Sequence, residues 1–245
     1  MREIIVSGAS RGIGRALALE LGQRPDTRLY LIARDGARLH EVAGRCRDAH
    51  VLCADLGLVR DAEQLGKQLA ARVQPGAVLV HNSGVWPARH ELTAEGYERA
   101  YAVNHAAPLA LQAPLLAAGK LARVLVISAG LIVTGRVDAA RTPQGADFSA
   151  LRTYANTKRA FAEATRSLAP QYADVDFLVM HPGVVRTDLG AREGLFGTFL
   201  RWVKRRWESP EACAARLART LDEPRWSEPG KASWYFEDKP APWPI

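Results

Sequence analysis

Short apolar runs alternate along this chain with longer stretches in which apolar residues recur every three or four positions. The runs at 4–7, 29–33, 51–54, 77–81, 124–128, 176–180 and 232–236 have the length and near-continuous apolarity of strands buried on both faces. Between them the spacing predicts helices over 13–23, 37–47, 59–73, 93–117, 151–168 and 211–221. In the first of these, Ile13, Leu17 and Leu21 fall four apart. Thr93, with Glu95 and Gly96 behind it, marks the start of the long helix, and Ser209-Pro210 gives the last one a cap followed by a first-turn proline. Strands alternating with helices imply an α/β fold: a single domain with a doubly wound parallel sheet of about seven strands and helices on both faces. No internal repeat, low-complexity tract or linker interrupts the pattern, and the proline-rich stretch 239–245 reads as an extended tail.

Composition narrows the classes without naming one. With 245 residues, 48% of them hydrophobic, the chain can bury a sizeable core. The net charge of +7 comes from 33 basic and 26 acidic residues spread along the chain. A dispersed basic balance suits a protein with a phosphate-rich ligand, and no nucleic-acid-binding motif accompanies it. Three cysteines, Cys46, Cys53 and Cys213, lack metal-ligand spacing, which predicts no metal centre, reduced thiols and a cytoplasmic setting. The apolar run at 4–6 is too short for a signal peptide, and no stretch of about 18 apolar residues exists to span a bilayer.

The chemistry concentrates in two places. Gly8-Ala-Ser-Arg-Gly12-Ile-Gly14 lies between the first strand and the first helix. Glycines there permit a tight turn and close approach of a pyrophosphate to the backbone, with the helix N-terminus supplying free N–H groups. An acidic residue at the end of the second strand would bind a ribose hydroxyl, but that strand ends Ile32-Ala33-Arg34. Arg34 and Arg11 offer guanidinium forks suited to a 2′-phosphate, so the expected cofactor is NADP(H). The alternative is that both arginines are surface charges paired with Asp35. The second place is Tyr154-Ala-Asn-Thr-Lys158, whose ends share one helix face. A cation beside the phenol lowers its pKa from about 10 and makes it a competent acid or base in carbonyl chemistry.

Joined to further segments, these resemble the short-chain dehydrogenase/reductase family over nearly the full length. The segments are Ala54-Asp55-Leu56, His81-Asn82-Ser83-Gly84, Val103-Asn104-His105 and Pro182-Gly183-Val-Val-Arg-Thr187. The long gap before Tyr154 and the ending Gly230-Lys-Ala-Ser-Trp-Tyr-Phe236-Glu-Asp resemble its retinol-dehydrogenase and protochlorophyllide-reductase-like branch. The resemblance implies a Rossmann-type fold in which 1–120 mainly binds cofactor and 121–245 carries catalysis and covers substrate. It implies that Tyr154 is the general acid/base, that Lys158 binds the nicotinamide ribose and tunes Tyr154, and that Asn104 holds a relay water. Gly8, Ser10, Arg11, Gly12, Ile13, Gly14, Arg34, Asp55, Leu56, Asn82, Ser83 and Gly84 would line the cofactor. Asn104, Tyr154, Lys158, Pro182, Gly183, Val185 and Thr187 complete that set. The implied reaction is hydride transfer between nicotinamide and a carbonyl or alcohol. His81 and Ser83 depart from the family's usual Asn-Asn-Ala-Gly, and His81 reads as a packed core histidine.

One departure bears on the mechanism. The family ends its fifth strand in two serines, the second of them catalytic; here Ser128 matches the first and Ala129 the second. Ser128 through a shifted strand end, or Thr134, could supply the missing hydroxyl. Otherwise the chain is an NADP(H)-binding sensor or regulatory protein with weak or lost catalysis.

The run 194–207 is aromatic and basic, with Phe196, Leu200, Val203 and Trp207 at helical spacing. It reads as a lid over a bulky apolar substrate, as a membrane-surface attachment, or as an ordinary packed helix. The polar insertion between Ser128 and Tyr154 reads as a loop at the mouth of the site. A small-molecule carbonyl or alcohol substrate is the expected partner, with homo-oligomerisation left open.

Overall fold

The computed structural model describes residues 1–186 and 207–245. Eight strands form one sheet: β1 (Arg2–Ser7), β2 (Thr27–Ala33), β3 (Ala49–Cys53), β4 (Ala77–His81), β5 (Leu121–Ile127), β6 (Asp176–His181), β7 (Ala232–Phe236) and β8 (Lys239–Ala241). Their order is β3-β2-β1-β4-β5-β6-β7-β8. Every pairing is parallel except β7 with β8, which is antiparallel. The order reverses between β1 and β4, and the crevice at such a reversal is where an open α/β sheet binds ligands.

Helices cover both faces. On one, Leu65 and Leu69 of α3 (Val59–Arg72), Leu111 and Leu115 of α5 (Ala107–Ala117) and Phe161 of α6 (Ala150–Leu168) pack on Ile5, Leu79, Val126 and Phe177. On the other, Leu17 and Leu21 of α1 (Gly12–Leu21), Leu39 of α2 (Gly36–Ala43) and Leu217 and Leu221 of α7 (Pro210–Asp222) pack on Ile4, Leu29, Leu125 and Leu178. The strands are apolar in both directions because both directions are buried. Helices α3 and α5 approach closely at Gly66, where a Cβ would run into the Leu111 carbonyl.

Two segments depart from the sequence expectation. The long helix begins at Arg99, in α4 (Arg99–Tyr101), and not at Thr93. The Glu98 carboxylate caps it by accepting from the Tyr101 amide at 2.9 Å, while Gly96 at φ +80° keeps the preceding turn out of the helix. The tail is not free: residues 239–241 form the edge strand β8, which tolerates Pro240 because an edge position can lack an N–H. Beyond it, Trp243 Nε1 donates to the Ala232 carbonyl at 2.9 Å.

Candidate active site

The site gathers where the C-terminal ends of β1, β4, β5 and β6 meet the N-terminus of α1 and one face of α6. Gly8 and Gly12 take φ of +69° and +55°, a region only glycine enters at little cost. A Cβ at Gly8 would stand 2.9 Å from the Asn82 carboxamide nitrogen, and one at Gly14 would strike that nitrogen and the Gly8 carbonyl. Helix α1 then starts after Arg11 with no side-chain cap and no acidic residue in its first turn. Its free N–H groups and positive dipole end suit an anion.

A side chain that the sequence reading missed holds this loop to β4. Ser7 Oγ accepts from the amides of Asn82 at 3.1 Å and Ser83 at 3.0 Å, and donates to the Val80 carbonyl at 3.4 Å. Asn82 Nδ2 donates in return to the Ser7 and Gly8 carbonyls, at 3.0 and 3.3 Å. The serine hydroxyl has one donor and two acceptor sites, and all are used. Ser10 is buried behind the loop, whereas Arg11 is exposed.

At the end of β2, Asp35 caps α2 through the Arg38 amide and pairs with the Arg38 side chain at 3.2 Å. Arg34 lies 3.8 Å from Asp55 instead, with both side chains nearly half exposed. The pairing of Arg34 with Asp35 therefore does not form. The Leu56 side chain is buried in the core, so any cofactor contact from it comes through backbone, while the partly buried Ile13 packs against the core of the other face.

On α6, capped by Ser149 through the Arg152 amide, Tyr154 and Lys158 are both buried. The Lys158 ammonium donates to the Ile127 carbonyl at 2.9 Å. A Cβ at Gly84 would stand 3.2 Å from Lys158 Nζ and 3.5 Å from Asn104 Oδ1, so these three residues share one small volume. Burial pushes the Tyr154 phenol up to about 12 and the Lys158 ammonium down to about 8. The lowering of Tyr154 expected from its spacing to Lys158 is not seen; burial alone sets the direction of the shift.

Asn104 sits in a π-helical turn, Ala102–Ala106, between α4 and α5. Its carboxamide accepts from the Val85 amide at 2.8 Å and donates to the Val85 carbonyl at 2.9 Å and Thr157 Oγ1 at 3.0 Å. The side chain thereby ties α6 to the loop after β4. A π turn breaks the i→i−4 ladder, a feature that recurs at functional sites. His81 behaves as the core residue expected: its Nε2 lies 3.0 Å from Gln112 Oε1, and burial lowers its pKa to about 4.

Trp86, another residue the sequence reading passed over, stacks on Tyr154 with ring centroids 4.5 Å apart and planes 9° from parallel. Its position two residues beyond Gly84, in a loop leading off β4, was the available signal. The insertion after β5 lies along α6: the Arg136 amide donates to Asn156 Oδ1 at 2.7 Å and Arg159 to the Gly135 carbonyl at 3.0 Å. Ser128 is buried with no hydrogen-bond partner for its hydroxyl among the described residues. The Thr134 hydroxyl donates to the Leu131 carbonyl at 2.8 Å, so it is not free to replace a catalytic serine.

At the end of β6, Pro182 and Val185 are buried and Gly183 has φ +84°. Arg216 holds this corner, donating to the Pro182 carbonyl at 2.6 Å and forming a fork to Glu208 at 2.8 and 2.7 Å. Thr187 and all of the 194–207 run except Trp207 lie outside the described residues.

The pattern of the family described as short chain dehydrogenase matches residues 2–195. The chain belongs to this family. Mouse retinol dehydrogenase 14 is 29% identical over 210 residues, covering 77% of this chain and 63% of its own. A Streptomyces sp. (strain C5) protein assigned as the daunorubicin C-13 ketoreductase DnrU is 32% identical over 216 residues, covering 82% and 71%. The chain thus spans under two thirds of that retinol dehydrogenase. Among solved structures, the NADPH-bound carbonyl reductase from chicken fatty liver superposes with a TM-score of 0.71 at 19% identity, over 99% of both chains. As a short-chain dehydrogenase, the protein has an oxidoreductase fold with helices on both faces of a mostly parallel sheet, and small molecules are the family's substrates. No helix of the described residues is long and apolar enough to cross a membrane.

Proposed function

We propose that this short-chain dehydrogenase is an NADP(H)-dependent carbonyl reductase or alcohol dehydrogenase for an apolar substrate, with Tyr154 as general acid/base. The observation that carries the reading is the volume shared by Lys158, Asn104 and Gly84, one turn along α6 from Tyr154, at the strand ends next to the glycine loop. The residues fit the dinucleotide. The loop leaves no room for a side chain at Gly8 or Gly14, and the first turn of α1 is uncapped. Gly8, Ser10, Gly12, Ile13 and Gly14 would hold the pyrophosphate, and Arg11 and Arg34 the 2′-phosphate. Asp55 and Leu56 would line the adenosine side, Asn82, Ser83 and Gly84 the stretch of cofactor that passes β4, and Pro182, Gly183, Val185 and Thr187 the nicotinamide. When bound, the cofactor supplies or accepts the hydride.

The chain's own residues handle the proton. Tyr154 donates it to the carbonyl oxygen in reduction and takes it back in oxidation. Lys158, held by the Ile127 carbonyl, places a cation where it stabilises the phenolate that follows donation. Asn104 would extend the relay toward solvent through the turn it occupies. Trp86 closes one face of the Tyr154 ring and keeps water from it, which suits a flat, apolar carbonyl compound. In this reading 1–120 chiefly binds cofactor, 121–245 works on substrate, and the unpaired thiols of Cys46, Cys53 and Cys213 fit a cytoplasmic setting.

A panel of aromatic aldehydes, ketones and quinones, followed by NADPH absorbance, tests the proposal. Turnover with NADPH over NADH is expected, and Tyr154→Phe should abolish it. The alternative, an NADP(H) sensor, is favoured specifically by Ala129 and by the nearly sealed Tyr154. It predicts tight NADPH binding and no turnover across the panel.

A further inference from the structure

The C-terminal ends of β5 and β6 carry polar atoms with no evident employment. Ile127 stands opposite Met180 in the register, and the Ser128 amide donates to the Met180 carbonyl at 2.7 Å, which sets Ser128 opposite His181. Side chains alternate along a strand. Val124, Val126, Phe177 and Val179 face α5 and α6, so Ser128 and His181 continue that same face. The Lys158 ammonium reaches the Ile127 carbonyl, so these strand ends border the proposed acid/base centre. Among the described residues, neither Ser128 Oγ nor His181 Nδ1 has a hydrogen-bond partner, although both atoms are buried. A buried orphan of this kind costs about 1–3 kcal/mol.

The imidazole is held against the turn that follows β5. A Cβ at Gly130 would stand 3.0 Å from His181 Nε2 and 3.2 Å from Cδ2, so the ring packs tightly on this glycine. The preceding residue is Ala129, where the family resemblance expects a hydroxyl. Phe236 meets the ring edge-on at 5.1 Å. Desolvation lowers the His181 pKa, with Glu237 opposing, so the ring is neutral and carries one N–H.

We infer that His181 is the hydrogen-bond donor that holds the substrate oxygen beside Tyr154, in the place left by Ala129. Ser128 Oγ and His181 Nδ1 are not hydrogen-bonded to each other, and the role requires the tautomer with its proton on Nε2, the nitrogen on the Gly130 side. Nε2–H then faces an oxygen that gains negative charge as the hydride arrives. His181 gives up no proton; Tyr154 supplies it. This rests on the acid/base reading of Tyr154.

The experiment compares wild type, His181→Ala, His181→Gln, the double variant Ala129→Ser/His181→Ala, and Tyr154→Phe. Each is assayed for kcat and KM with a carbonyl compound from the panel, for NADPH binding and for thermal midpoint. Loss of one such donor lowers the rate by about 10²–10³. His181→Ala should show that loss in kcat with NADPH binding and midpoint retained. His181→Gln, which keeps an N–H, should recover most of the rate, and the double variant should recover at least about tenfold through the new hydroxyl. An unchanged kcat for His181→Ala overturns the inference. So does a loss that neither rescue relieves, since that marks packing alone. If Tyr154→Phe is inactive while His181→Ala is not, only this inference fails. If Tyr154→Phe turns over normally, or wild type reduces nothing, the acid/base reading fails with it.

Discussion

The two sides of the crevice are finished differently. On the glycine-loop side, Ser7 and Asn82 bind β1 and β4 together, and every hydrogen-bonding site of the Ser7 hydroxyl is used. On the β5–β6 side, Ser128 Oγ and His181 Nδ1 are buried without partners. A fully bonded network is rigid and presents a fixed backbone surface, as a large constant ligand requires. Orphaned polar atoms at strand ends store a cost that a bound oxygen can relieve. In the proposed reading, the contrast separates a prebuilt cofactor cradle from a substrate pocket that is completed by what enters it.

The strongest way to break the cradle is Gly14→Ala, whose methyl would meet the Gly8 carbonyl and the Asn82 side chain. NADPH binding should fall below detection in titration calorimetry, and a variant that binds normally would remove the cradle from the account. Next in size is an effect of the core beneath the site. His81 has its pKa lowered from 6.5 to about 4, so the unfolded chain binds more protons between those values. Its contribution to stability is full above about pH 6.5 and is lost as pH falls toward 4, by up to about 3 kcal/mol. Urea denaturation at stepped pH should show this loss, and His81→Asn should flatten it. Ser7→Ala leaves two amides without their acceptor and should cost about 1–3 kcal/mol in denaturation, with weaker NADPH binding. An equivalent loss from Ser128→Ala would erase the distinction between the two sides. The smallest expected change is at Arg34. Arg34→Ala should weaken NADPH about tenfold, roughly 1.4 kcal/mol, and leave NADH unmoved. Equal weakening of both would mean that Arg34 serves only its ion pair with Asp55.

The sheet was largely legible because its strands are buried on both faces and therefore uniformly apolar. The glycine loop and the Tyr154–Lys158 pair were legible because local spacing alone brings each together. What escaped depends on partners far along the chain. Ser7 looks like any strand-end serine until Asn82 and Ser83 arrive from β4. The helix start moved from Thr93 to Arg99 because Glu98 caps better from where the fold places it. The π turn at Asn104 has no signature in periodicity. Residues 239–241 looked like a tail because proline disfavours strands, yet β7 offered an edge where Pro240 does no harm. The pKa of Tyr154 ran opposite to the expectation from its spacing because spacing carries no information about burial.

The central claim is that Tyr154 moves the proton in an NADPH-dependent reduction. The most direct measurement is single-turnover consumption of bound NADPH by wild type and Tyr154→Phe, with a carbonyl compound that the wild type reduces. The account predicts equal NADPH affinity and a loss of about 10²–10⁴ in the rate for the variant. A variant that binds NADPH and consumes it at the wild-type rate would contradict it.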